Sequence, residues 1–108
     1  MAYLFVYGSL CPGEKNAGLL AQMEGLWEPA CVTGHLVNAG WRTLGGYPAL
    51  IPDSQGELVD GYLFSSSKLD ENWAMLDDFE GADYLRVTAE VTTQQGQKIC
   101  AFVYILKA

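Results

Sequence analysis

The sequence predicts an α+β domain, a sheet of several strands curling toward a barrel with one main helix and one or two short helices packed around it. Three observations predict it. Apolar runs of strand length, rich in aromatic and β-branched residues, recur at residues 2–7, 27–37, 57–64 and 99–106. Residues 84–92 alternate, with Leu85, Val87, Ala89 and Val91 on one face and Arg86, Thr88, Glu90 and Thr92 on the other. One long stretch, residues 68–79, shows helical spacing through Leu69, Trp73, Leu76 and Phe79.

The elements follow in order. Residues 2–7 read as a central strand ending at Gly8-Ser9, and Pro12-Gly13 marks a loop. A short helix is expected over residues 16–23, with Leu19, Leu20 and Met23 inward and Gly25 ending it. Residues 27–37 have strand character interrupted by Pro29 and Gly34. Residues 38–52 form a glycine-rich loop that carries Trp41, Tyr47, Leu50 and Ile51, a composition suited to lining a pocket or lying over the core. After the strand at residues 57–64, Ser67 is placed to cap the main helix, Asp70 and Glu71 suit its first turn, and Gly81 stops it. Gln95-Gly96 turns the chain between the last two strands, which pair as an antiparallel hairpin.

Composition narrows the function. A chain of 108 residues, half of them hydrophobic, suffices for one domain with a real core. A net charge of −7, with six Lys and Arg in total, argues against nucleic-acid binding and against a basic membrane-surface patch. No apolar run approaches the roughly 20 residues of a membrane span, and the apolar opening lacks the basic start and length of a signal peptide. Cys11, Cys31 and Cys100 are odd in number without CxxC spacing, and His35 is the single histidine, so neither a metal nor a cofactor is expected. Free thiols in a reducing cytoplasm are the economical reading.

Glu80 is the leading catalytic candidate. It falls four residues after Leu76 and seven after Trp73, at the C-terminal end of the apolar stripe, whereas Asp70, Glu71, Asp77 and Asp78 fall on the polar side. A carboxyl there is partly desolvated and meets the unfavourable end of the helix dipole, so its pKa is expected to rise, as proton transfer near neutral pH requires. The alternative is a glutamate at a frayed helix end, turned out to water. The second candidate is Tyr7-Gly8-Ser9-Leu10, where glycine after a buried strand permits a sharp turn or positive φ, and successive N–H groups can converge on an anion. The plainer reading is a strand ending. Ser9 and Cys11 remain candidate nucleophiles, but no base stands beside either in sequence.

YGSL at residues 7–10, Pro12-Gly13, Asn16, Gly46-Tyr47-Pro48-Ala49, Asp60-Gly61-Tyr62 and the FEG..Y.R of residues 79–86 together resemble the gamma-glutamylcyclotransferase-like family. The resemblance covers essentially the whole chain with the motifs in the expected order. It is strongest to the small bacterial and plant members and to the gamma-glutamylamine cyclotransferases. The Asn of the YGSNL motif usual in the larger glutathione-pathway enzymes is absent here.

The resemblance implies a small mixed β-barrel that converts a gamma-glutamyl amine or related compound to 5-oxoproline and a free amine. It matches Glu80 to the family's catalytic glutamate, and Tyr7, Gly8, Ser9 and Leu10 to its substrate-binding loop. Tyr47 and Pro48 are expected to wall the pocket or to pack as ordinary loop residues. Tyr84 orients Glu80 or substrate through its hydroxyl, or packs in the core. Tyr104 needs a partner for its polar tip if buried, Arg86 is expected at the surface or in an ion pair, Arg42 is placed only by its loop, and Trp73 is expected in the core. Cys11 stands where the family commonly has Lys or Arg, which raises a redox role for it. The expected partner is a small gamma-glutamyl substrate, the expected state a monomer. Two other readings stand beside this one: removal of a gamma-glutamyl protecting group from a biosynthetic intermediate, and a small-ligand-binding or stress-response module without turnover.

Overall fold

The computed structural model describes residues 2–37 and 49–106. Its elements are β1 (Ala2–Val6), α1 (Gly18–Ala21), β2 (Leu26–Val37), β3 (Ala49–Pro52), β4 (Glu57–Ser66), α2 (Trp73–Glu80), β5 (Tyr84–Thr93) and β6 (Lys98–Leu106). The strands lie in the order β3-β2-β4-β1-β6-β5, and a further β2–β5 pairing closes five of them into a barrel with β3 added outside. Closure rests on two residue pairs, Ala30 with Thr93 and Cys31 with Thr92. The β1–β6 pair is parallel and the others antiparallel, so the barrel is mixed as the sequence resemblance implied.

Alternation along each strand separates two apolar clusters. Phe5, Val32, Leu63, Val91 and Val103 fill the barrel interior from all five strands. Leu4, Val6, Phe64 and Tyr104 point the other way, against Leu10, Leu20, Leu69 and Leu76 from the loops and helices. The hairpin of β5 and β6 matches expectation, with Val91 opposite Ile99 across a turn at Gly96.

Four local expectations need correction. Residues 49–52, expected within the loop, form β3, which pairs with β2 from Val37 with Ala49 to Gly34 with Pro52. β2 runs unbroken for twelve residues through Pro29 and Gly34. The carbonyl of Pro29 accepts from the N–H of Gln94 at 2.9 Å, so the missing N–H of Pro29 faces that same side and the β4 ladder loses nothing. The main helix starts at Trp73, not after Ser67, and Asp70 and Glu71 precede it. The cause is side-chain competition: the Asn72 amide donates to the Lys68 carbonyl at 2.8 Å, taking the acceptor a continuing helix would need, while the Asn72 N–H turns to Leu69. Ser66 supplies the local oxygen instead, accepting from the Lys68 N–H and donating to the Glu24 carbonyl. The first helix is also shorter than expected, four residues flanked by i→i+3 turns.

Candidate functional site

The loop after β1 and helix α2 share the outer apolar cluster through Leu10, Leu76 and Phe79. A turn closes the loop, with the Cys11 N–H donating to the Gly8 carbonyl at 3.0 Å, and the Asn16 N–H donating to the Ser9 carbonyl at 2.8 Å holds its far side. Gly8 makes this turn without a left-handed φ; among the described residues Gly13, Gly81 and Gly96 adopt one. Ser9 and Leu10 are buried, Leu10 in the same cluster as Leu76 and Tyr104. Among the described residues, the N–H groups of Ser9 and Leu10 donate to no backbone carbonyl.

Tyr7 is a bridge. Its hydroxyl donates to the Tyr104 carbonyl at 2.8 Å and accepts from the Leu50 N–H at 3.0 Å, joining the β1 end to β6 and β3. Burial, with the charge of Glu80 among smaller causes, holds its pKa well above the ordinary tyrosine value. Tyr7→Phe leaves both backbone partners short of a bond in a half-buried place and is expected to cost about 1–3 kcal/mol, measurable as a lower denaturant midpoint with unchanged slope.

Glu80 is the last residue of α2, with Phe79 and Tyr84 packed nearby against the outer cluster. Burial raises its pKa from the ordinary 4.5 to about 7. Among the described residues no Lys, Arg or His pairs with it. Its charge is a minor influence on the titration of Tyr7 and Tyr104. Gly81, at φ 90°, ends the helix at once, a conformation that disfavours any side chain there.

Tyr84 packs against the outer cluster and is near enough to Tyr7 to be a minor influence on its titration. Tyr47 and Pro48 lie outside the described residues, as do Trp41 and Arg42. Trp73 is half-buried, edge-on to Phe102, rather than fully in the core. Cys11 is buried beside Glu14, and burial first, then that charge, pushes its thiol up to about 11. Such a thiol is neither a ready nucleophile nor a ready redox sensor. A cavity of about 680 Å³ opens on the other flank of the loop, lined by Tyr7, Gly8, Cys11, Asp60 and Thr93 among others, and Glu80 does not line it.

Sequence reading missed Asp77. Its carboxylate accepts from the Tyr104 hydroxyl at 2.6 Å and from Arg86 Nε at 3.0 Å, and Tyr104 first, then Arg86, holds its pKa below the ordinary carboxylate range. The available signal was its place one turn before Glu80, together with a basic residue at Arg86. Among the described residues, no cluster of three or more His, Cys, Asp or Glu is arranged for a metal ion, and no helix is long and apolar enough to cross a membrane.

Comparison with known proteins agrees with this fold. The family model described as gamma-glutamyl cyclotransferase, AIG2-like, matches residues 4–108. No curated protein matches the chain. Among solved structures, YkqA from Bacillus subtilis is 31% identical with a TM-score of 0.75, over 98% of this chain and 36% of its own. The chain thus spans little more than a third of that relative. An AIG2-like protein from Mus musculus is 26% identical with a TM-score of 0.76, over 97% of this chain and 76% of the mouse chain. A structure described as gamma-glutamyl cyclotransferase shares the fold at 20% identity and a TM-score of 0.64, over 98% of this chain and 66% of its own. A mixed five-stranded barrel, the loop after its first strand and a family match over nearly every residue lead to one conclusion: the chain belongs to the AIG2-like gamma-glutamyl cyclotransferase family.

Proposed function

We propose that this protein converts a gamma-glutamyl amine, or a related gamma-glutamyl compound, to 5-oxoproline and a free amine, with Glu80 moving the protons. The observation that carries the reading is a half-buried carboxyl at the end of α2, raised by burial to about 7, whose charge is felt at Tyr7, where the loop after β1 begins. The substrate's α-amino nitrogen attacks the γ-carbonyl of the same molecule. A C–N bond forms, the amide C–N bond breaks, and one proton passes from the attacking nitrogen to the leaving one. A single carboxyl near neutrality can accept that proton and return it. Because ring closure is intramolecular, holding the glutamyl chain folded supplies much of the rate.

The N–H groups of Ser9 and Leu10, without backbone acceptors among the described residues, are suited to the α-carboxylate or the developing oxyanion. Tyr7 keeps the loop in place, Gly8 lets it turn, and Tyr84, with Tyr47 and Pro48, walls the glutamyl pocket. This chemistry calls for no cofactor, and we propose that the chain acts as a cytoplasmic monomer. The test is 5-oxoproline release from a panel of gamma-glutamyl amines, gamma-glutamyl dipeptides and glutathione. Release from the amines ahead of glutathione is expected, and the best substrate identifies the leaving group. Absence of release from every member, with thermal stabilisation by 5-oxoproline alone, would replace this reading with a binding module.

A further inference from the structure

Resting on the reading of Glu80 as the proton carrier, we propose that Asp77 is a positioning residue for it. Its carboxylate, held by the Tyr104 hydroxyl and the Arg86 guanidinium, fixes the last turn of α2 so that the Glu80 carboxyl stays against the barrel wall beside Tyr7.

Helix α2 cannot hold that direction by itself. It has eight residues, no side-chain cap at its start, no acidic residue in its first turn and no basic residue in its last. Helices this short are marginal without tertiary support. Leu76, fully buried, and Trp73 and Phe79, partly buried, pack an apolar stripe along the helix. Apolar packing is non-directional and leaves the last turn some freedom to roll. Asp77 supplies a directional anchor, about 100° round the helix from Leu76, with bonds to β6 through Tyr104 at 2.6 Å and to β5 through Arg86 at 3.0 Å and 3.4 Å. Glu80 lies four residues after Leu76 and three after Asp77, so its direction falls between theirs.

The strand side of this tether is itself fixed. The Arg86 guanidinium lies over both rings, 4.5 Å from the Trp73 ring centre and 5.0 Å from that of Phe102. Tyr104 is buried, and its carbonyl holds the Tyr7 hydroxyl at 2.8 Å. One residue, Tyr104, therefore ties the helix through its side chain and the substrate-side loop through its backbone. Release of Asp77 lets the last turn roll or fray at Gly81 and brings Glu80 to water. Among the described residues, Tyr7 and Tyr104 feel the Glu80 charge, and Arg86 pairs with Asp77 beside Tyr104. Burial holds the Tyr7 and Tyr104 hydroxyls neutral in the working range, so relocation of Glu80 would show in its own titration.

The experiment follows the Glu80 carboxyl by carbon-13 NMR titration, alongside kcat and KM for the best gamma-glutamyl amine, in Tyr104→Phe, Asp77→Ala and Asp77→Asn. Tyr104→Phe removes the one oxygen that donates to Asp77, keeps the net charge and keeps the carbonyl that Tyr7 uses. Loss of that polar oxygen alone would raise the pKa of Glu80, so a fall reports movement into water. In Tyr104→Phe and Asp77→Ala the Glu80 pKa is expected to fall by about one unit or more and kcat by about tenfold or more, with KM within about threefold. Asp77→Asn keeps an acceptor for Tyr104 and is expected to hold the Glu80 pKa within about half a unit of wild type. An unmoved Glu80 pKa in Tyr104→Phe would overturn the proposal, even with kcat reduced. An equal fall in Asp77→Asn would also overturn it, by assigning the effect to charge. Should Asp77→Ala fail to fold, Tyr104→Phe decides. The NMR titration keeps the two readings apart: if Glu80→Gln retains turnover the proton-carrier reading fails, while the pKa of wild-type Glu80 against Tyr104→Phe still tests the tether.

Discussion

Glu80→Gln is expected to lower 5-oxoproline release by about a hundredfold to ten-thousandfold, the range that a positioned proton-transfer group contributes. Glutamine matches the shape but can neither accept nor return the proton, so substrate binding should change little while kcat collapses. In wild type, kcat/KM should rise with pH through about 7, as burial holds the proton on Glu80 up to that point and the base form must be free to act. Glutamine carries no such titration, so the residual rate of the variant should lack that limb.

The same carboxyl has a stability consequence of definite sign. Its folded pKa lies above the ordinary 4.5, at about 7, so between those values the folded state holds a proton that the unfolded state has lost. Stability from this group is therefore fully present below about pH 4.5 and is lost as pH rises through about 7. At 1.36 kcal/mol per pH unit, the loss amounts to about 3 kcal/mol. Denaturant melts of wild type and Glu80→Gln should nearly coincide, as far as this group is concerned, at pH 4.5 and separate by about that amount at pH 8, with the variant more stable. Melts that stay parallel across this range would mean that Glu80 is solvated, and its role as proton carrier would lose its physical basis.

Gly61→Ala is the second large effect, and it acts through packing. A Cβ at position 61 would stand 2.2 Å from the Val6 carbonyl oxygen and 2.7 Å from the Phe5 ring. The first of these is backbone and cannot rotate away. The methyl would force β4 off β1 at the end of the pairing that runs from Ala2 with Ser66 to Val6 with Tyr62. A cost of about 3 kcal/mol or more is expected, at or beyond the upper end for overpacked cores. Because Val6 precedes Tyr7, the displaced backbone carries the loop with it, and turnover should fall even where the variant remains folded. Gly18→Ala is the matched control. Nothing lies within 4 Å of a Cβ there, and the position is helical, so stability should hold or rise by up to about 1 kcal/mol. Equal melting of the two variants would contradict the close approach of β4 to β1.

Much of this molecule is legible in local pattern. Alternation in β5, the turn at Gly96 and the apolar runs of β1, β4 and β6 follow from the two-residue period of a strand, which needs no knowledge of neighbours. The place of Glu80 on the inner stripe follows from helical spacing, although the helix itself begins later than that spacing suggests. Stripe and helix parted company at residues 67–72, where Leu69 is buried from a turn and the Asn72 side chain takes a backbone acceptor. Periodicity reports which side chains are inward, not which hydrogen bonds the backbone makes.

Partnerships across the sheet were decided by the tertiary structure. Nothing in the neighbourhood of Pro29 shows that its missing N–H faces Gln94, a residue 65 positions away in the chain. The parallel pairing of β1 with β6, and closure through Ala30 and Cys31 against Thr93 and Thr92, likewise join segments remote in sequence. Asp77 is the clearest case. By sequence it is one acid among several on a polar face, and only the closed barrel brings the Tyr104 hydroxyl and Arg86 to it. The sequence by itself determined five of the six strands, the alternating faces of β5, the loop after β1 and the place of Glu80 on the apolar stripe, since all depend on residues within a turn or two. Which groups hold that carboxyl in place depends on side chains that converge only when a barrel closes, and only the tertiary structure decides it.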